Sequence, residues 1–111
     1  MNGETILAEA QRLTALDRQS KYGIPLDNWS DIATKWSVTL RRKLKSPITA
    51  EEAALCMIDL KTCREANVHQ RDNLTDAAGY ANVVDMIHEE RERRAAQPVE
   101  PPCYIDSISN V

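Results

Sequence analysis

Apolar residues recur at helical spacing in four stretches of this chain, separated by polar or proline-containing breaks. Between about Glu4 and Asp17, Ile6, Ala10 and Leu13 form one stripe, with Leu7 and Leu16 on its flanks. Trp29, Ile32, Ala33, Trp36, Leu40 and Leu44 repeat the period in a second stretch. A third, reaching about Asn67, carries Ala53, Cys56, Met57 and Leu60; Arg64 is the next position on that stripe and Lys61 lies at its edge. In the fourth, from about Asp72 to Arg94, Tyr80, Val83, Val84 and Ile87 share a face. No segment alternates strictly between apolar and polar, so no substantial sheet is expected. The predicted fold class is all-α: one small bundle of about four helices over residues 1–94.

The breaks place the helix ends. Pro47 interrupts the chain, and Thr49 followed by Glu52 is a capping box that starts the third helix. Asp27, Asn28 and Asp31 suit the start of the second by capping and by charge. Between the first two helices runs a long connection, Arg18 to Asp27, in which Gly23 and Pro25 are expected to stop any helix. Long ordered loops in small domains are often functional, and this one holds Arg18, Tyr22 and Asn28 near its ends as ligand-binding candidates. Trp29 and Trp36 project from one helical face and read as large core anchors. From Ala95 onward, Pro98, Pro101 and Pro102 mark residues 95–111 as a tail.

Composition narrows this picture. A chain of 111 residues without Phe, 42% hydrophobic and 28% charged, buries a thin core and is compatible with a homo-oligomer. The net charge of -3 excludes a whole-protein basic field for nucleic acid. Arg41, Arg42, Lys43 and Lys45 are a local exception, whose ordinary reading is a set of cations at a helix C-terminus. Cys56 and Cys63, two helical turns apart, read as core residues. With Cys103 they make an odd count without a CxxC motif, as in a reducing compartment. The polar N-terminus has no signal-peptide pattern and no apolar run approaches a membrane span, so a cytoplasmic protein without a membrane partner is expected.

The anomaly is charge at core-facing positions: Lys61 and Arg64 on the third helix, Asp72 and Asp76 on the fourth. Buried ions need partners, and antiparallel packing would bring Arg64 against Asp76. One reading is a pair that fixes helix register. The other is a polar pocket under the Tyr22–Gly23 loop, with Lys61 and Arg64 binding phosphate. Asp72 and Asp76, four apart on one helix, would share Mg2+. His69 beside them is a weaker metal candidate. No P-loop, GxGxxG, HExxH or GxSxG motif is present.

Arg18, Tyr22-Gly23-x-Pro25-x-x-Asn28, Ile32-Ala33-x-x-Trp36, Leu60-Lys61-x-x-Arg64 and Asp72-Asn73-x-x-Asp76-Ala77-Ala78-Gly79-Tyr80-Ala81 together resemble a family of short, uncharacterised proteins of tailed bacteriophages and prophages. The resemblance covers roughly residues 5–90 and implies a small helical fold with Gly23, Pro25, Gly79 and Tyr80 in structural roles. A second resemblance, carried by Asn73-x-x-Asp76, is to MazG-like all-α nucleoside triphosphate pyrophosphohydrolases. It implies a magnesium-dependent nucleotide pyrophosphohydrolase, or a protein that keeps nucleotide binding without catalysis. The acidic pair that family carries on the preceding helix is replaced here by Lys61 and Arg64. A protein-interaction module acting on a host or phage partner is the remaining class.

Overall fold

The computed structural model describes residues 3–17 and 21–98, the side chains of residues 16 and 17 excepted. Among the described residues it contains four α-helices of seven residues or more and no strand. We label them α1 (Ile6–Arg12), α2 (Pro25–Thr39), α3 (Ala50–Asn67) and α4 (Arg71–Ala95). A π-helical turn, Leu13–Asp17, continues α1. No helix is long and apolar enough to cross a membrane. The segment 99–111, with Cys103, lies outside the described residues.

The helix starts follow local chemistry. Thr5 caps α1 by accepting from the Ala8 amide at 3.0 Å. At α3 the capping box forms in both directions, Glu52 N to Thr49 Oγ1 at 3.1 Å and Thr49 N to Glu52 Oε1 at 2.9 Å. The start of α2 departs from expectation: Pro25 opens the helix instead of stopping it. Its missing N–H falls where no intrahelical partner exists, and its fixed φ is already helical. Gly23 makes the preceding turn at φ 81°, a left-handed conformation that suits glycine.

At its other end, α2 stops at Thr39. Arg41, Arg42, Lys43 and Lys45 therefore lie beyond the helix, exposed, and Leu44 is not part of it. Ser37 Oγ accepts from the Ile48 amide at 2.8 Å, tying this end of α2 to the chain entering α3.

The long helix α4 packs against α1, α2 and α3. The core between them is Leu26, Trp29 and Ala33 of α2, Ala50, Ala53 and Ala54 of α3, and Val83 and Ile87 of α4. The buried face of α3 is thus its alanine face. Cys56 and Cys63, expected in the core, are exposed, and so is Leu60. Small side chains let helix backbones approach closely, which turns the bulkier residues outward.

Ion pairs hold the ends. Arg94 grips Asp27 through both guanidinium NH groups, at 2.9 and 3.0 Å, and Arg91 reaches Glu51 at 2.8 Å. Arg71 joins α4 to Glu9 of α1. Gly79 lets the π-helical turn settle on α4: a Cβ there would stand 3.3 Å from Thr14 Cγ2.

Candidate functional site

Two clefts adjoin: the first lies where α2 meets α3 and α4, the second between α3 and α4. The first, of about 390 Å³, is aromatic and is lined by Tyr22, Asn28, Trp29, Trp36, Met57 and Tyr80. Trp29 is 6% exposed and meets Tyr80 edge-to-face, with ring centroids 5.7 Å apart and planes at 90°. That geometry suits the ring quadrupoles and fixes the back wall. Trp36 and Tyr80 are half-buried. The tryptophans are core anchors, as their spacing implied, and also line this cleft.

The second cleft, of about 480 Å³, is polar; Lys61, Arg64, Asp72, Asn73 and Asp76 line it. Met57, Lys61 and Arg64 succeed one another on α3, and Asp76 and Tyr80 are one turn apart on α4. The aromatic cleft therefore gives way to the polar one within a single turn. From Met57 to Arg64 the rise is roughly 10 Å.

Inside the polar cleft the pairing differs from the expected one. Asp76 Oδ2 receives Lys61 Nζ at 2.9 Å, with the side chains 33% and 17% exposed. Arg64 is exposed, and its guanidinium makes no ion pair or hydrogen bond among the described residues. The cause is the alanine face: with Ala50, Ala53, Ala54 and Met57 inward, the next inward positions are Lys61 and Glu65, and Arg64 rotates toward solvent.

Glu65 organises the turn below. Its Oε1 accepts from the Gln70 amide at 3.0 Å and from Asn73 Nδ2 at 3.3 Å, and its Oε2 accepts from His69 Nδ1. These donors, His69 first, hold the Glu65 carboxyl below the usual carboxylate range. His69 is thereby a partner of Glu65. The spacing gives Glu65 no role, and Asn73 enters there only as part of the Asp72-to-Ala81 motif; the structure makes both of them partners in this turn.

Of the other predicted residues, Asp72 is exposed on the rim, one turn before Asp76. Tyr22, Gly23 and Asn28 line a small recess with Trp29, joining the loop to the aromatic cleft. Arg18 lies outside the described residues. Thr75, fully buried one position before Asp76, has no hydrogen-bond partner for its hydroxyl among the described residues.

The donor set does not fit a divalent ion held by the protein alone. Asp72 and Asp76 are two carboxylates, the second already engaged by Lys61. Among the described residues no group of three or more His, Cys, Asp or Glu side chains is placed to hold a metal.

Comparison with known proteins bears on the chain as a whole. It is 41% identical over 110 residues to the Gene 55 protein of Mycobacterium phage D29, covering 97% of this chain and 66% of that protein. It is 32% identical over 109 residues to the Gene 55 protein of Mycobacterium phage L5, covering 96% of this chain and 68% of that one. The chain thus spans about two thirds of the length of these relatives. No solved structure matches it. These matches agree with the resemblance to short phage proteins and do not extend to the MazG-like one. The model of DUF6378, a domain of unknown function, matches residues 5–91, and the chain belongs to that family.

Proposed function

We propose that this chain binds a phosphorylated nucleoside across the two adjoining clefts, with the base in the aromatic cleft and the phosphates in the polar one. The observation that carries this reading is the succession Trp36, Met57 and Tyr80, then Lys61 and Arg64, from one cleft to the next. Bases stack on open aromatic faces, and cations one turn further on meet the phosphates. Asn28 at the aromatic cleft offers an amide donor and acceptor to a base edge. Arg64, uncommitted to any carboxylate among the described residues, supplies the first charge; Lys61 supplies the second on leaving Asp76.

Asp72 and Asp76 suit the kind of magnesium site in which one or two carboxylates meet an ion that the substrate's phosphates also hold. Magnesium would then enter with the nucleotide and not before it. Binding without turnover is the reading favoured here, because Lys61 occupies one of the two carboxylates that line the cleft among the described residues. Hydrolysis at a MazG-like centre is the second reading, supported by the placement of Asp72 and Asp76 one turn apart.

A thermal-shift screen with nucleoside mono-, di- and triphosphates and cyclic dinucleotides, each with and without magnesium, tests the proposal. A rise of several degrees with one of them, lost in both Lys61→Met and Trp36→Ala, is the expected result. No rise with any of them overturns it. Release of pyrophosphate or phosphate from the ligand that binds would decide for the second reading.

A further inference from the structure

Residues 32–50 contain Lys35, Arg41, Arg42, Lys43 and Lys45 and not one carboxylate, in a chain whose net charge is -3. All five cations are exposed. Of the other described Lys and Arg residues most are neutralised: Arg12, Lys61, Arg71, Arg91, Arg93 and Arg94 each pair with an Asp or Glu, Lys21 and Arg64 being the exceptions. None of the five does so among the described residues. Arg41 serves the end of α2, donating to the Val38 carbonyl at 3.2 Å, but the last turn of α2 holds no basic residue of its own and Arg42, Lys43 and Lys45 stand past its end. Val38 and Leu40, 58% and 44% exposed, lie among them.

This tract brackets Trp36, which lines the aromatic cleft, with Lys35 just before it and Arg41 five residues after. Along the chain, therefore, the cations adjoin the α2 wall of the aromatic cleft, and Lys61 and Arg64 follow its Met57 on α3. Aromatic platforms continued by a positive track are how proteins hold single strands of nucleic acid without reading sequence. A mononucleotide would use the clefts and leave the tract idle. We infer that the natural ligand is a single-stranded oligonucleotide, one base of which enters the aromatic cleft while the backbone runs on across Arg41, Arg42, Lys43 and Lys45. This rests on the proposed nucleotide site and extends it from a monomer to a strand.

The test compares the full chain with Arg41→Gln/Arg42→Gln/Lys43→Gln and with Trp36→Ala, by fluorescence anisotropy and calorimetry. The probes are a single strand of about eight nucleotides, within the site sizes of such binders, and the mononucleotide that binds best. For the full chain the strand is expected to bind at least tenfold tighter than the mononucleotide. The triple substitution should weaken strand binding tenfold or more and leave mononucleotide binding within about twofold. Each phosphate contact contributes a slope of roughly -0.7 in log K against log salt, so losing three should flatten the dependence by about 2. Trp36→Ala should weaken both ligands.

A strand that binds no tighter than the mononucleotide overturns this inference alone and leaves the nucleotide site standing. So does a triple variant that binds the strand normally. Binding to phosphatidylserine vesicles but not to the strand overturns it in favour of a membrane surface. Failure of both nucleotide probes removes the underlying site as well.

Discussion

Lys61 Nζ stands 2.9 Å from Asp76 Oδ2, and this pair joins α3 to α4 at the floor of the polar cleft. Both groups retain some solvent, so the pair contributes little to stability, about 1 kcal/mol or less. Its larger effect is on what Lys61 is free to touch. In the absence of magnesium, Asp76→Asn is expected to tighten nucleotide binding several-fold by releasing Lys61. Lys61→Met should weaken it tenfold or more. Calorimetric titration checks both, and a loss of affinity in Asp76→Asn without magnesium would count against Lys61 as the phosphate ligand.

Trp29 and Trp36 should separate stability from binding. Trp29 is nearly fully buried and packs edge-to-face on Tyr80. Its replacement by Ala should cost about 3–5 kcal/mol in urea unfolding. Trp36 is half-buried at the cleft mouth, and its replacement by Ala should cost less stability and more nucleotide affinity. The reverse order would place the ligand elsewhere.

Gly79 faces Thr14 at a separation that admits a methyl group only if Thr14 gives by a few tenths of an ångström. Gly79→Ala gains up to about 1 kcal/mol of helix propensity against that crowding and should be close to neutral. Gly79→Val should destabilise by about 1–3 kcal/mol through overpacking. Thermal unfolding of the two variants distinguishes this contact from a mere preference for glycine.

Thr75 is 2% exposed, and its hydroxyl has no partner among the described residues. Replacing it with Val removes the desolvation cost of that hydroxyl and is expected to stabilise the protein by about 1 kcal/mol. Destabilisation of that size in denaturant unfolding would show that the hydroxyl is hydrogen-bonded in solution.

Acid should loosen the bundle at its clasps. Glu90 accepts from Arg93 and Arg94, which lower its pKa from 4.5 to about 2. Asp27 is lowered by Arg94, and Glu65 by His69 and the Gln70 amide. A carboxylate with a depressed folded-state pKa stabilises fully above its unfolded pKa and loses that contribution as pH falls through the folded one. Stability should therefore decline below about pH 4.5 and continue to fall toward about 2. In Glu90→Gln that part of the decline should be smaller; an unchanged pH profile would dismiss the clasp.

How far the molecule was legible from its sequence depended on which forces act locally. The capping box at Thr49 and Glu52 and the face of Val83 and Ile87 follow from spacing along single helices; the convergence of Lys61 and Arg64 with Asp72 and Asp76 needed the further expectation that the two helices pack antiparallel. The rotation of α3 follows from neither. Hydrophobicity ranks Cys56 and Leu60 above Ala50 and Ala54, yet close helix approach favours the alanines, and the choice is made between helices. That rotation decided that Lys61 and not Arg64 would meet Asp76. The start of α2 at Pro25 was missed for another reason: proline forbids the middle of a helix and suits its first residue, and only the Gly23 turn distinguishes the two.

The alanines have a consequence of their own. Ala33 of α2 and Ala50, Ala53 and Ala54 of α3 are nearly inaccessible in the shared core, while Trp36 and Met57 of the same two helices line the aromatic cleft. The arrangement works as a clothes-peg, with a fulcrum of methyl groups and jaws of large side chains. A single added carbon at the fulcrum alters the gape of the jaws. The width offered to a ligand is thus set by residues that never touch it, and relatives sharing every lining residue can differ in what they grip.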